Sequence, residues 1–195
     1  PAYVTYEACI ASTGATQVRF QQPACSGFRP DIDQLGASIT PATRGIVFAN
    51  PSNPTGVTFT RDELNAIADI AIRNDLWVLV DEVYSDLVFD GVYQSIAGLP
   101  GMLERTVTVS SVSKSYAMTG WRCGWAVGPP ALMHHLRRMT LITLYGLPGF
   151  VMEAANVAIR EGSEEVALAR ETYRRRRNLV LEILAEARNL PTLLP

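Results

Sequence analysis

The sequence predicts an α/β fold, a mostly parallel sheet sandwiched by helices, and three observations carry that prediction. Short apolar runs, "GIVFA", "LWVLV" and "RTVTV", have the length and bounds of strands buried on both faces. Between the first two lies a helical stretch in which Leu64, Ile67, Ala68, Ala71 and Ile72 recur on one face. Strands of this kind alternate with helical segments along most of the chain, the order that crossover connections need to build a parallel sheet.

In chain order, Tyr3 to Thr13 reads as a short helix stopped by Gly14. Gln17 to Gln21 ("QVRFQ") alternates and reads as a strand. After a loop rich in Pro, Gly and Asp, Asp31 to Ile39 reads as a short helix. Arg44 to Asn50 is a buried strand that runs into "PSNPTG" (Pro51 to Gly56), a turn made of breakers. Thr60 and Glu63 form a Thr-x-x-Glu capping box that starts the helix ending near Asp75. Leu76 to Val80 is a buried strand ending on Asp81, and Arg105 to Val109 is another, ending on Ser110 and Ser111. Gly124 to Gly128 reads as a fourth apolar strand. Pro130 to Tyr145 is helical with Pro130 near its first position, and a further helical pattern runs from Val151 to Arg188 with a break near Gly162.

Composition narrows the function. With 48% hydrophobic and 18% charged residues, the 195-residue chain is globular rather than disordered. A net charge of -2 gives no electrostatic case for nucleic acid as the main partner. No apolar run has the length of a membrane span, and no signal peptide opens the chain. Cys9, Cys25 and Cys123 are scattered without metal-ligand spacing, so a reduced, cytoplasmic protein without a metal is the expectation. His134 and His135 are adjacent on a helix and cannot jointly hold a metal, and "YRRRRN" reads as the solvated face of a helix. The chain opens on Pro1 and stops at "NLPTLLP"; both ends read as cut from something longer.

In a parallel sheet, ligands bind beyond the carboxyl ends of the strands. Three such ends carry polar clusters: Asn50 to Gly56, Asp81 to Tyr84, and Ser111 to Lys114. Lys114, among small residues past a buried strand, can be desolvated and nucleophilic, although a surface lysine is the commoner outcome. Ser111, Ser113 and Arg122 suit a phosphate, which takes several donors and prefers arginine; for the serines, local turn chemistry is an equal alternative. Arg122, next to an apolar strand, is read as a buried guanidinium in need of an anion. Asp81 can hold a pyridinium nitrogen protonated, or it can cap the following turn. Tyr84, one turn on, can donate to a ring oxygen or pack in the core. Asn53, in a Pro-rigid loop, can present a fixed amide, or it can be an ordinary turn residue. An amine, an acid for a ring nitrogen, two donors for a ring oxygen and an anion site together match pyridoxal 5′-phosphate.

"NPSNPTG", "DEVY" and "SSVSKSYAMTGWRCG" resemble, in order and spacing, the signatures of class I (fold-type I) pyridoxal-phosphate aminotransferases, similar to aspartate aminotransferase. Within that family, "LPGMLERTVTVSSVSKSYAMTGWRCGWAVGP" and "LYGLPGF" look most like arginine–pyruvate transaminases. The resemblance implies that Lys114 carries the cofactor through a Schiff base and acts as general base and acid. It implies that Asp81 pairs with the ring nitrogen, and that Tyr84 and Asn53 bond the ring oxygen. Ser111, Ser113 and Arg122 would hold the phosphate. Substrates would be an L-amino acid and a 2-oxo acid, in a homodimer.

The resemblance also assigns residues 1–150 to a cofactor-binding large domain lacking its N-terminal part. Residues 151–195 would be the long interdomain helix and the start of a truncated small domain. The family's phosphate loop and ring-stacking aromatic are expected upstream of Pro1, and its substrate-carboxylate arginine downstream of Pro195. The chain is therefore expected to be a fragment, inactive alone. Two other functions fit the same motifs: a C–S β-lyase on this fold, and a non-catalytic aminotransferase-like sensor domain of a transcription regulator.

Overall fold

A computed structural model describes residues 2–186. Four strands, β1 (Gly45–Ala49), β2 (Trp77–Asp81), β3 (Thr106–Ser111) and β4 (Gly124–Val127), lie side by side in chain order. β1, β2 and β3 are parallel, as expected, and β4 is antiparallel to β3. The reversal has a simple cause. A parallel return needs a crossover, usually a helix, whereas residues 112–123 contain only a 3-10 turn and double back beside β3. β4 is also exposed along its whole length, not buried as its apolar sequence suggests.

Among the described residues six helices accompany the sheet: α1 (Thr5–Ser12), α2 (Ile32–Ala37), α3 (Arg61–Arg73), α4 (Pro130–Thr143), α5 (Gly149–Glu161) and α6 (Ser163–Ala185). The expected helical pattern over 151–188 forms two helices, with the expected break at Gly162. A Cβ there would lie 2.6 Å from the Ala158 carbonyl and 3.2 Å from the Tyr116 ring, so only glycine fits. The expected end at Arg188 lies outside the described residues.

Gln17–Gln21 is not a strand. Alternation makes a strand only where a neighbour completes the ladder. Here the Gln21 carbonyl takes the Asp31 N–H at 2.9 Å, and its N–H goes to the Gln34 side chain.

The core lies on the α3 side of the sheet. Leu64, Ile67, Ala68 and Ala71 of α3 pack with Ile46 and Phe48 of β1 and Val78 and Val80 of β2. The capping box forms as predicted: the Thr60 hydroxyl accepts the Glu63 N–H, and the Glu63 carboxylate accepts the Thr60 N–H. Arg29 pairs with the same carboxylate. Burial pushes Glu63 upward, but the Arg29 guanidinium and the Thr60 N–H outweigh it and hold the carboxyl below its ordinary pKa. On the other face Trp77 and Leu79 remain 46% and 39% exposed. α6 docks through Arg177, which reaches Asp90 at 2.6 Å and lies over the Phe89 ring at 5.1 Å.

Candidate active site

The register of the sheet builds one level edge. Ala49, Asp81 and Val109 are Cα partners across the parallel strands, and the ladder continues as Asn50 N–H to Asp81 O (3.0 Å) and Glu82 N–H to Val109 O (2.8 Å). All three chains therefore leave the sheet at one level. Because β4 is antiparallel, with Gly124 opposite Ser111, Arg122 also arrives at this edge. A Cβ on Gly124 would meet the Ser110 carbonyl at 2.8 Å, so the close approach requires glycine.

After β1 the chain turns tightly. Ser52 N–H bonds Val57 O at 2.8 Å, Gly56 N–H returns to Ser52 O at 2.9 Å, and Gly56 takes φ +73°. Both X–Pro bonds of the turn, Asn50–Pro51 and Asn53–Pro54, are cis. Asn50, fully buried, accepts the Phe59 N–H at 2.9 Å and pins the turn to the core. Asn53 is half-buried, and its amide has no hydrogen-bond partner among the described residues.

After β2, both oxygens of Asp81 are taken: Oδ1 by the Val83 N–H at 3.1 Å, Oδ2 by the Tyr6 hydroxyl at 2.7 Å. The first bond is the turn role weighed from sequence; the second was not foreseen, because Tyr6 lies 75 residues away. Lys114 Nζ reaches over the Tyr84 ring, 5.8 Å from its centroid, and joins the β3 loop to the β2 loop.

The lysine loop is held from below. Val112 is fully buried and Ser115 is 5% exposed, and Lys114 projects outward between them. Val112 N–H bonds Cys123 O at 3.2 Å, Met118 N–H bonds Val112 O at 3.3 Å, and Ala117 N–H bonds Lys114 O at 3.3 Å. Lys114 and Arg122 are both exposed, which corrects the expected desolvated amine and buried guanidinium. They stand on the open rim, and the loop buries its apolar and small residues instead. Arg122 adopts φ +54° and spends one N–H on Thr119 O at 2.9 Å. The Ser111 hydroxyl oxygen accepts the Ser113 N–H at 3.2 Å, so turn chemistry is part of its role. The O–H groups of Ser111 and Ser113 and the rest of the Arg122 guanidinium have no acceptor among the described residues.

Beside Asp81 lies a second cluster that the sequence did not disclose. Glu82 accepts the Ser95 hydroxyl, and the Tyr93 hydroxyl is buried nearby without a well-formed hydrogen bond. Burial pushes the Glu82 carboxyl above its ordinary pKa and the Asp81 charge adds to this, while the hydrogen bond from Ser95 and the nearby Tyr93 hydroxyl partly offset it. A cleft of about 490 Å³ between α1, residues 17–23 and β1 meets the site at Tyr6 and Asn53. Lys114 is not in its wall, so the chemistry sits on the sheet edge.

The set comprises an amine, a carboxylate fixed by two donors, an unspent amide, a phenol, two hydroxyls and a guanidinium. It fits a nitrogen heterocycle that bears a carbonyl, a ring oxygen and a phosphate. Residues 1–195 match the family described as aminotransferase class I and II.

The chain belongs to that family. Class I aminotransferases depend on pyridoxal 5′-phosphate. The chain is 47% identical over 195 residues to the arginine–pyruvate transaminase AruH of Pseudomonas aeruginosa, covering all of this chain and 50% of that protein. The aromatic aminotransferase of Pyrococcus horikoshii superposes with a TM-score of 0.95 at 36% identity, over the whole chain and 53% of the other. Aspartate aminotransferase from Thermus thermophilus with maleate superposes at 0.92 and 33% identity, over the whole chain and 51% of the other. The fold-type I expectation thus holds, and the chain spans about half the length of the relatives it matches.

Proposed function

We propose that this chain is the lysine-bearing part of an aminotransferase that moves an amino group between an L-amino acid and a 2-oxo acid. The observation that carries the reading is Lys114, whose amine crosses to Tyr84 beside a carboxylate held on both oxygens. When bound, pyridoxal 5′-phosphate supplies a carbonyl for amine exchange and a protonated ring that accepts the electron pair freed at the substrate α-carbon.

The chain's own groups divide the work. Lys114 would provide the amine that anchors the carbonyl, and after exchange its freed amine would move a proton from the substrate α-carbon to the cofactor's former carbonyl carbon. Asp81 holds the ring-nitrogen proton. Asn53 and Tyr84 donate to the ring oxygen. Ser111, Ser113 and Arg122 hold the phosphate with donors the fold leaves unspent. The exposure of Lys114 supports an amine that must meet both cofactor and substrate.

The likeness to an arginine–pyruvate transaminase supports a basic amino acid as donor and pyruvate as acceptor. We place the large domain at 1–150 and the interdomain helix from 151. Ile142, 82% exposed on α4, and Phe150, 71% exposed on α5, support a homodimer interface. Three free cysteines support a cytoplasmic location, and no described helix is long and apolar enough to cross a membrane. Assays of the full protein separate the reactions: amino transfer that requires a 2-oxo acid supports this reading, and release of pyruvate and ammonia without one identifies a lyase.

A further inference from the structure

Glu82 has no part in the cofactor contacts above, yet it begins the turn that carries Tyr84. Its N–H closes the ladder onto Val109 O, and its carbonyl accepts the Ser85 N–H at 2.9 Å. Its side chain turns away from the rim and accepts the Ser95 hydroxyl. Residues 88–95 form no helix or strand, so side-chain bonds have to fix this loop.

The residue before Ser95 meets the other turn. Gln94 O accepts Asn50 Nδ2 at 3.4 Å, and the buried Asn50 also donates its N–H to Asp81 O and accepts the Phe59 N–H. Positions 94 and 95 thus join the turn after β1, which bears Asn53, to the turn after β2, which bears Tyr84. Their far side is anchored. Ser95 Oγ accepts the Ala97 N–H at 3.2 Å and caps the 3-10 turn Ile96–Gly98, whose Ile96 is 1% exposed in the core. Burial raises the Glu82 carboxyl above its ordinary pKa, but charged or protonated it offers Ser95 an acceptor oxygen.

We propose that Glu82 is a positioning residue: by gripping Ser95 it clamps the loop at 94–95 against both turns and sets the spacing of Asn53 and Tyr84, the two donors to the cofactor's ring oxygen. The inference rests on that reading of Asn53 and Tyr84. Glu82 acts through the turn it begins, without meeting the cofactor.

The test uses the full protein and the dissociation constant of pyridoxal 5′-phosphate, read from its visible absorbance. Ser95→Ala removes one hydroxyl. It is expected to weaken binding about fivefold in the parent, and less than about twofold when Glu82 is alanine. Equal weakening in both backgrounds, or none in either, overturns the inference. Glu82→Gln keeps the acceptor and removes the charge that faces Asp81 and Tyr93. It is expected to bind within about twofold of the parent; a loss as large as that of Glu82→Ala assigns the effect to charge and overturns the clamp.

A second readout decides the matter if Glu82→Ala fails to fold. Donors to the ring oxygen set the pH midpoint of the bound cofactor's absorbance. Ser95→Ala is expected to move that midpoint by about 0.5 unit in the parent and by less than about 0.2 unit with Tyr84→Phe. An equal shift in both, or none in either, marks a merely structural bond and overturns the inference. A parent protein that gains no visible absorbance with the cofactor overturns the cofactor reading itself, and that outcome is distinct from the others.

Discussion

Asp81 and Glu82 are adjacent carboxylates in opposite circumstances. Asp81 meets Tyr6 and the Val83 N–H at the rim, whereas Glu82 turns inward to Ser95, where burial raises its pKa above the ordinary 4.5. A carboxyl raised in the folded state binds its proton more tightly there than when unfolded, so its charged form burdens the fold above the raised value. That burden falls away as pH drops through the raised value and is gone below about 4.5. Glu82→Gln keeps an acceptor for Ser95 and is expected to melt higher than the parent at pH 8, with the gain disappearing near pH 4.5. A variant that melts lower at pH 8 contradicts this account of Glu82.

At the phosphate end, Ser111→Ala removes one donor to an anion. It is expected to cost about 1.5 kcal/mol, or roughly tenfold in cofactor affinity by equilibrium titration. Lys114, Asp81, Tyr84 and Asn53 were legible as candidates because each follows a strand end within a few residues. Tyr6 and Ser95 were not, since nothing near them in sequence shows that they meet a carboxylate 75 or 13 residues away.

Elements were legible where local chemistry decides them. The Thr60–Glu63 box and the apolar stripe behind it specify α3, and the fold realises both. Thr60→Ala is expected to cost about 1 kcal/mol, seen as a lower urea midpoint with an unchanged slope; an unaltered midpoint would show the cap to be inert. Where neighbours decide, sequence was insufficient. Gln17–Gln21 has the alternation of a strand, yet its backbone bonds go to Asp31 and Gln34. "GWAVG" is apolar enough for a buried strand, yet β4 lies exposed and reversed because its short connection admits no crossover.

At the scale of the whole molecule, one face of the sheet is closed by α3 and the other leaves Trp77 and Leu79 open, in a chain that spans about half the length of its relatives. The 195 residues alone are accordingly expected to turn over amino acid far below the rate of the full protein. Ile142, on the exposed apolar side of α4, belongs to the proposed subunit interface. Ile142→Asp in the full protein is expected to shift sedimentation from dimer toward monomer at micromolar concentration; an unshifted dimer removes α4 from that interface.

Everything at the rim converges on one covalent anchor, and Lys114 is the only lysine in the 195 residues. The decisive measurement is borohydride reduction of the full protein loaded with pyridoxal 5′-phosphate, followed by peptide mass mapping. The account predicts a cofactor adduct on the peptide containing Lys114, and its loss in Lys114→Ala. An adduct of equal yield in Lys114→Ala, or one mapped to a lysine outside these residues, would contradict it.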